Sequence, residues 1–113
     1  MLLMAALPLA AADMTKLTIK LTNQNGHPVS NAEVIIKFIK GRSKVKLTKI
    51  RTSWELRSSE EGLATIPEIP QGEILIQVNA KFYQTFGERV VIYEPVRTVE
   101  ITLKPPQEQY SAH

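Results

Sequence analysis

The chain has 113 residues, of which 43% are hydrophobic and 22% are charged, with a formal net charge of +3 and no cysteine. This length fits one globular domain, and the composition is too apolar for a wholly disordered chain. The absence of cysteine excludes disulfides, thiol catalysis and thiolate metal sites, and it fits either a reducing or an oxidising compartment.

The first twelve residues form an uncharged apolar run. This run is too short to span a bilayer, which needs about 20 residues. Ala10 and Ala12 fit the A-x-A pattern of a signal-peptide cleavage site, although the usual basic stretch before the run is missing. We therefore interpret residues 1–12 as a signal-peptide remnant, with a short buried or disordered N-terminal segment as the alternative. The first interpretation predicts a periplasmic or secreted protein that begins near Asp13.

Apolar and polar residues alternate with a period of two in seven short segments, which predicts seven strands. Their apolar positions are Leu17, Ile19 and Leu21; Val34, Ile36 and Phe38; Ile50, Trp54 and Leu56; Ala64, Ile66 and Ile69; Ile74, Ile76 and Val78; Val90 and Ile92; Val99, Ile101 and Leu103. Turn-forming residues separate the segments, and no window shows a helical period. We predict an all-β fold, a seven-stranded antiparallel β-sandwich of the Ig-like or prealbumin-like type. Residues 13–104 would form this domain, and residues 105–113 a polar C-terminal tail.

Five short motifs follow one another between residues 15 and 104. They are Gly26-His27-Pro28-Val29 with Ala32 and Val34, Glu61-Gly62 with Ala64 and Ile66, Ile69-Pro70-Gln71-Gly72, Phe82-Tyr83, and Val99-x-Ile101-x-Leu103. In this order and spacing they resemble the carboxypeptidase regulatory-like domains, in which Gly-Tyr is usual at the fourth motif. The usual Asp of the turn before the fourth strand is Glu60 or Glu61 here. The resemblance implies a transthyretin-like sandwich with an accessory or binding role outside the cytoplasm.

The chain lacks the residue sets of enzymes that share such sandwiches. Transthyretin-like hydrolases of hydroxyisourate have several histidines and a C-terminal Tyr-Arg-Gly-Ser, of which only Tyr110 is matched. Intradiol dioxygenases bind iron through two tyrosines and two histidines. Such a set would have to converge here from turns and a tail, drawn from Tyr83, Tyr93, Tyr110, His27 and His113. We therefore predict that the chain is not an enzyme and has no catalytic residue, no cofactor and no metal site.

Two groups of residues are candidate binding sites. The first is a run of basic residues without an acidic one, namely Lys37, Lys40, Arg42, Lys44, Lys46, Lys49 and Arg51. Such a run fits an anionic partner, or else a solvated hairpin. The second comprises the aromatic residues Phe82, Tyr83 and Phe86, which either close one end of the sandwich or stack on a sugar ring.

These observations predict a non-enzymatic extracytoplasmic domain that binds a protein or a component of the cell envelope. The alternative is a polyanion- or carbohydrate-binding module that uses the basic hairpin or the aromatic end. Its partner would be an anionic glycan or a lipid surface. Nucleic acid is disfavoured because no aromatic residue is interleaved among the basic ones. The sequence contains no transmembrane segment.

Overall fold

The computed structural model of the chain describes residues 13–41 and 52–106. Three predictions therefore lie outside the described residues. They concern the signal-peptide remnant at residues 1–12, the five basic residues from Arg42 to Arg51, and the tail beyond residue 106.

Seven strands make up the described part of the chain. They are β1 (Met14–Asn23), β2 (Glu33–Gly41), β3 (Ser53–Arg57), β4 (Leu63–Pro70), β5 (Gly72–Asn79), β6 (Phe86–Ile92) and β7 (Val96–Leu103). The described residues form no helix, so none of them builds a helix that could cross a membrane. The prediction of an all-β sandwich is confirmed. Strand β6 begins at Phe86, four residues before Val90, which is the first apolar position predicted for it. The sequence pattern missed this start because the exposed Gly87, Glu88 and Arg89 interrupt the apolar alternation.

The strands form two sheets, one with the order β4-β1-β7 and the other with the order β3-β2-β5-β6. These orders name five pairs of neighbouring strands, and in four of them the two strands run in opposite directions. The pairs β1–β4, β2–β3, β2–β5 and β5–β6 do so. One pair departs from the antiparallel prediction, because β1 and β7 run parallel, with Lys16 opposite Val96 and Asn23 opposite Leu103.

The core lies between the two sheets and is built from the alternate residues that each strand turns inward. In the four-stranded sheet Ile36, Ile74 and Ile76 are fully buried, as are Leu17 and Ile19 in the three-stranded sheet. The side chain of Trp54 is 6% exposed, which places it in the core, as its alternating position in the third predicted strand suggests. The burial of these aliphatic side chains is the main stabilising contribution to the sandwich.

Two glycines permit close approaches between strands and turns. Gly62 has a φ of +78°, and a Cβ there would collide with the carbonyl oxygen of Leu21. Gly72 has a φ of +150°, and a Cβ there would collide with the carbonyl oxygen of Lys40. Both positions therefore require glycine for its backbone conformation and for its lack of a side chain.

Candidate functional site

The register of β5 and β6 defines the two ends of the sandwich. Gly72 pairs with Ile92 at one end of this hairpin, and Val78 pairs with Phe86 at the other. We call the end near Val78 and Phe86 the Phe82 end, because Phe82 lies in the connection between the two strands. We call the opposite end, at which β6 leads into Tyr93, the Tyr93 end.

Phe82 protrudes from the Phe82 end. Its side chain is 73% exposed, and its backbone has a φ of +73°. This left-handed conformation costs a residue with a Cβ about 1–2 kcal/mol. The Nζ of Lys81 lies 5.2 Å from the centre of the Phe82 ring, within the range of a cation–π contact. A large apolar side chain is thus held in water at a strained backbone position, a combination that occurs at functional sites.

Tyr83 fixes the connection that carries Phe82. Its backbone N–H donates a hydrogen bond to the carbonyl oxygen of Ala80 over 3.1 Å. Its hydroxyl accepts a hydrogen bond from Nδ2 of Asn23 over 3.4 Å, which joins the connection to the end of β1. Tyr83 and Phe86 are half-buried against the core. Of the three predicted aromatic residues, Phe82 is therefore the one that faces solvent.

The predicted basic site and the predicted aromatic site are not brought together in the described residues. Lys37 and Lys40 are exposed on β2. Lys40 lies opposite Glu73, next to the Gly41–Gly72 pair at the Tyr93 end, so β2 and β5 separate it from Phe82. The two groups would thus contact different partners or different parts of one partner.

The turn between β6 and β7 carries a charged cluster that the sequence pattern did not reveal. Oε1 of Glu94 accepts a hydrogen bond from the Tyr93 N–H over 3.1 Å, and the Arg97 guanidinium lies 3.0 Å from Oε2. The Tyr93 hydrogen bond, followed by the contact with Arg97, holds the pKa of the Glu94 carboxyl below its usual range. The buried Thr15 hydroxyl donates to the Glu94 carbonyl oxygen. These contacts fasten the turn to β1 and have a structural role.

A second feature missed by the sequence pattern is a cleft of 590 Å³ between β6 and β7. The two strands lie at the edges of different sheets. The cleft is lined by Phe86, Glu88 and Val90 from β6 and by Val99 and Ile101 from β7, among other residues. We call this cleft the β6–β7 seam. Alternation alone could not reveal it, because it depends on which two strands end up facing each other.

The described residues contain no group of three or more His, Cys, Asp or Glu side chains that could hold a metal ion. Tyr83 and Tyr93 flank opposite ends of the seven-residue strand β6. At the usual rise per residue, they are separated by about 20 Å. Tyr110 and His113 lie outside the described residues.

Comparison with known proteins finds this fold in enzymes and in pilins. No known protein family and no curated protein matches the chain. Solved structures do match, beginning with the 3-chlorocatechol 1,2-dioxygenase of Rhodococcus opacus, at a TM-score of 0.66 and 12% identity over 85% of this chain and 61% of that one. The major pilin subunit of Bacillus cereus matches at a TM-score of 0.61 and 17% identity over 82% of this chain and 30% of the pilin. The minor pilin of Streptococcus agalactiae matches at 0.60 and 14% identity, over 90% of this chain and 49% of the pilin.

At these identities the likeness shows the fold alone. The chain spans less than two thirds of the length of the Rhodococcus dioxygenase and of both pilins. The neighbours support a sandwich of the prealbumin or Ig-like type, and they do not confirm the carboxypeptidase regulatory-like family.

The prediction that the chain is not an enzyme is contradicted by these comparisons. It depended on the missing residue sets of related enzymes and on a resemblance to binding domains, but intradiol dioxygenases, which are enzymes, share the same sandwich. The fold is therefore common to enzymes and to surface proteins such as pilins. Function must accordingly be argued from the particular residues that the sandwich presents.

Proposed function

We propose that the chain is an extracytoplasmic interaction domain that binds a protein or another component of the cell surface through its Phe82 end. The proposal includes a periplasmic or secreted location and a domain that covers residues 13–104. The resemblance to carboxypeptidase regulatory-like domains and the pilin neighbours support this role. The observation that carries it is Phe82, because its aromatic ring is exposed at a backbone position that favours glycine.

An exposed aromatic side chain on a fastened turn suits recognition. Aromatic residues are enriched among the side chains that contribute most to binding, because they bury a large apolar area. Tyr83 and Asn23 hold the turn in place, so little conformational freedom is lost when Phe82 contacts a partner. Lys81 next to the ring adds a positive charge at the same point.

Site-specific photo-crosslinking tests this proposal. A photoreactive phenylalanine analogue at position 82 of the full chain, expressed in the producing cells, should trap one dominant envelope protein or glycan. The matched control carries the analogue at Val91, which is 56% exposed near the Tyr93 end, on the face of β6 that points away from the core. The proposal predicts an adduct that forms at position 82 and not at position 91. The same adducts at both positions, or none at position 82, would contradict it.

A second candidate function is binding to a carbohydrate or a polyanion. The exposed ring of Phe82 could stack on a sugar face, with Lys81 at an acidic substituent. Lys37 and Lys40, and the basic residues outside the described part of the chain, would contact a more extended anion. Affinity electrophoresis in gels that contain a neutral glucan or heparin separates these cases. Retardation by heparin that disappears at high salt would support the polyanion, and unchanged mobility in both gels would exclude this second function.

A further inference from the structure

We infer that the β6–β7 seam binds an extended segment of a partner protein, which adds a strand to the free edge of β7. The segment has apolar side chains at two alternate positions and a Lys or Arg between them. This inference rests on the proposed function and deepens it, because it names a surface and a partner chemistry. It depends on three observations, which are the unequal sheets, the side chains that line the seam, and Glu88.

The first observation is that three strands face four. Strand β7 is one of the two edge strands of the smaller sheet, and β6 is one of the two edge strands of the larger sheet. A strand hydrogen-bonded to the free edge of β7 would give the smaller sheet a fourth strand, opposite β6. It would satisfy backbone groups of β7 that have no partner strand in the described sheet, as in other cases in which a peptide extends a sheet.

The second observation is the apolar lining of the seam. Phe86 and Val90 pair in register with Val78 and Ile74, which are fully buried, so they face inward. Even so, both are only half-buried, and the smaller sheet formed by residues 13–41 and 52–106 has no strand beyond β7 that could cover them. Across the seam, Val99 is half-buried as well. Apolar side chains on an added strand would cover these residues, and this burial would drive binding.

The third observation is the position of Glu88. It pairs in register with the buried Ile76 and so lies on the inward side of β6, between Phe86 and Val90. The residue is nevertheless exposed, and within residues 13–41 and 52–106 no salt bridge reaches its carboxylate. An inward-pointing charge on an edge strand opposes indiscriminate pairing. A segment with a basic residue at the matching position would neutralise this charge, and a wholly apolar segment would not.

The seam is also bounded at one end. The Gln84 N–H donates to the carbonyl oxygen of Lys104 over 2.9 Å, and Nε2 of Gln84 donates to that of Pro105 over 2.8 Å. The chain that leaves β7 thus crosses to the start of β6 at the Phe82 end. An added strand therefore has a defined length, and it reaches the seam from the Tyr93 end.

The test uses the full chain and two synthetic heptapeptides, both acetylated and amidated. One has the sequence Thr-Val-Thr-Lys-Thr-Val-Thr, and the other has Glu in place of Lys. Titrations followed by NMR should show that the Lys peptide binds with shifts along β6 and β7. The Glu peptide should bind at least about tenfold more weakly, because it places a like charge at Glu88. In the variant Glu88→Lys this preference should be reversed, and in Glu88→Gln it should be lost.

Several outcomes would overturn the inference. One is that neither peptide binds the wild-type chain at millimolar concentration. Another is that the Glu88→Lys variant still prefers the Lys peptide to the Glu peptide. A dimer in sedimentation experiments that Val99→Lys dissociates would show that the seam holds a second copy instead. The emission of the single Trp54 reports whether each variant is folded. If the peptides fail while the position-82 adduct persists, the seam inference is wrong and the proposed function stands.

Discussion

The Ser58 hydroxyl donates a hydrogen bond to the carbonyl oxygen of Val29 over 2.8 Å, inside the protein. The hydroxyl oxygen of Ser58 in turn accepts a hydrogen bond from the Ala32 N–H over 2.9 Å. The Ser58 backbone N–H donates a hydrogen bond to the carbonyl oxygen of Ala32, and the Ser58 carbonyl oxygen accepts one from the Asn31 N–H. One serine after β3 thus binds the chain that leads into β2, where the small side chain of Ala32 is fully buried.

The variant Ser58→Ala should be less stable than the wild type by about 1–3 kcal/mol, because two buried backbone groups lose their partner. Urea unfolding followed by the fluorescence of Trp54 measures this change. Ser30→Ala is the matched control, since Ser30 is exposed in the same loop and should shift stability by less than about 0.5 kcal/mol. Equal effects of the two variants would show that the Ser58 hydrogen bonds are not stabilising.

A second prediction concerns Gly62. The variant Gly62→Ala should lose about 2–4 kcal/mol of unfolding free energy, because it combines a left-handed backbone with a collision against the Leu21 carbonyl oxygen. In Gly87→Ala the new Cβ meets nothing within 4 Å, so this control should remain within about 1 kcal/mol of the wild type. Thermal unfolding of the two variants side by side measures the difference. A Gly62→Ala protein as stable as Gly87→Ala would contradict the observed approach of the turn to β1.

A third prediction concerns the effect of the positive φ of Phe82 on the unfolding free energy. The variant Phe82→Gly should have an unfolding free energy that is unchanged or raised by up to about 1 kcal/mol, because glycine adopts positive φ without strain. The control Phe86→Ala removes a half-buried ring that packs on the core, and it should lose about 1–3 kcal/mol. Urea unfolding again gives both values. A large loss of stability in Phe82→Gly would show that this residue is retained for folding.

A fourth prediction concerns acid stability. The folded-state pKa of Glu94 is lowered, so its contribution is present above the unfolded-state pKa, which is about 4.3, and is lost as the pH falls through the folded-state value. Unfolding free energy should therefore decrease less steeply below this pH in Glu94→Gln than in the wild type. Glu55→Gln, at an exposed position on β3, serves as the control and should follow the wild-type profile. Parallel profiles for wild type and Glu94→Gln would contradict the role of the Tyr93 and Arg97 contacts.

Much of the fold could be predicted because each strand has one face in the core. Val34 and Ile36, or Ile74 and Ile76, are buried at the alternate positions that the period of two indicates. The parallel pairing of β1 with β7 could not be predicted in this way, because a strand's alternation does not depend on the direction of its neighbour. Strand β6 was underestimated for a related reason, since Glu88 is charged at an inward position.

The candidate site was predicted only in part. The aromatic segment was recognised, but its alternation does not reveal that Tyr83 and Phe86 pack inward while Phe82 faces water. The positive φ of Phe82 is a property of the tertiary fold, and the resemblance to a Gly-Tyr motif was its only signal in the sequence. The seam and the Glu94–Arg97 cluster depend on contacts between strands and turns, which the order of residues does not specify.

Competition for the partner tests the central claim most directly. Cells that carry the photoreactive analogue at position 82 are lysed, and an excess of purified wild-type chain or of Phe82→Gly is added to the envelope fraction before illumination. If Phe82 is held in its strained conformation for binding, the wild-type chain suppresses the adduct and the folded Phe82→Gly chain does not. Suppression by Phe82→Gly as complete as that by the wild type would contradict the account.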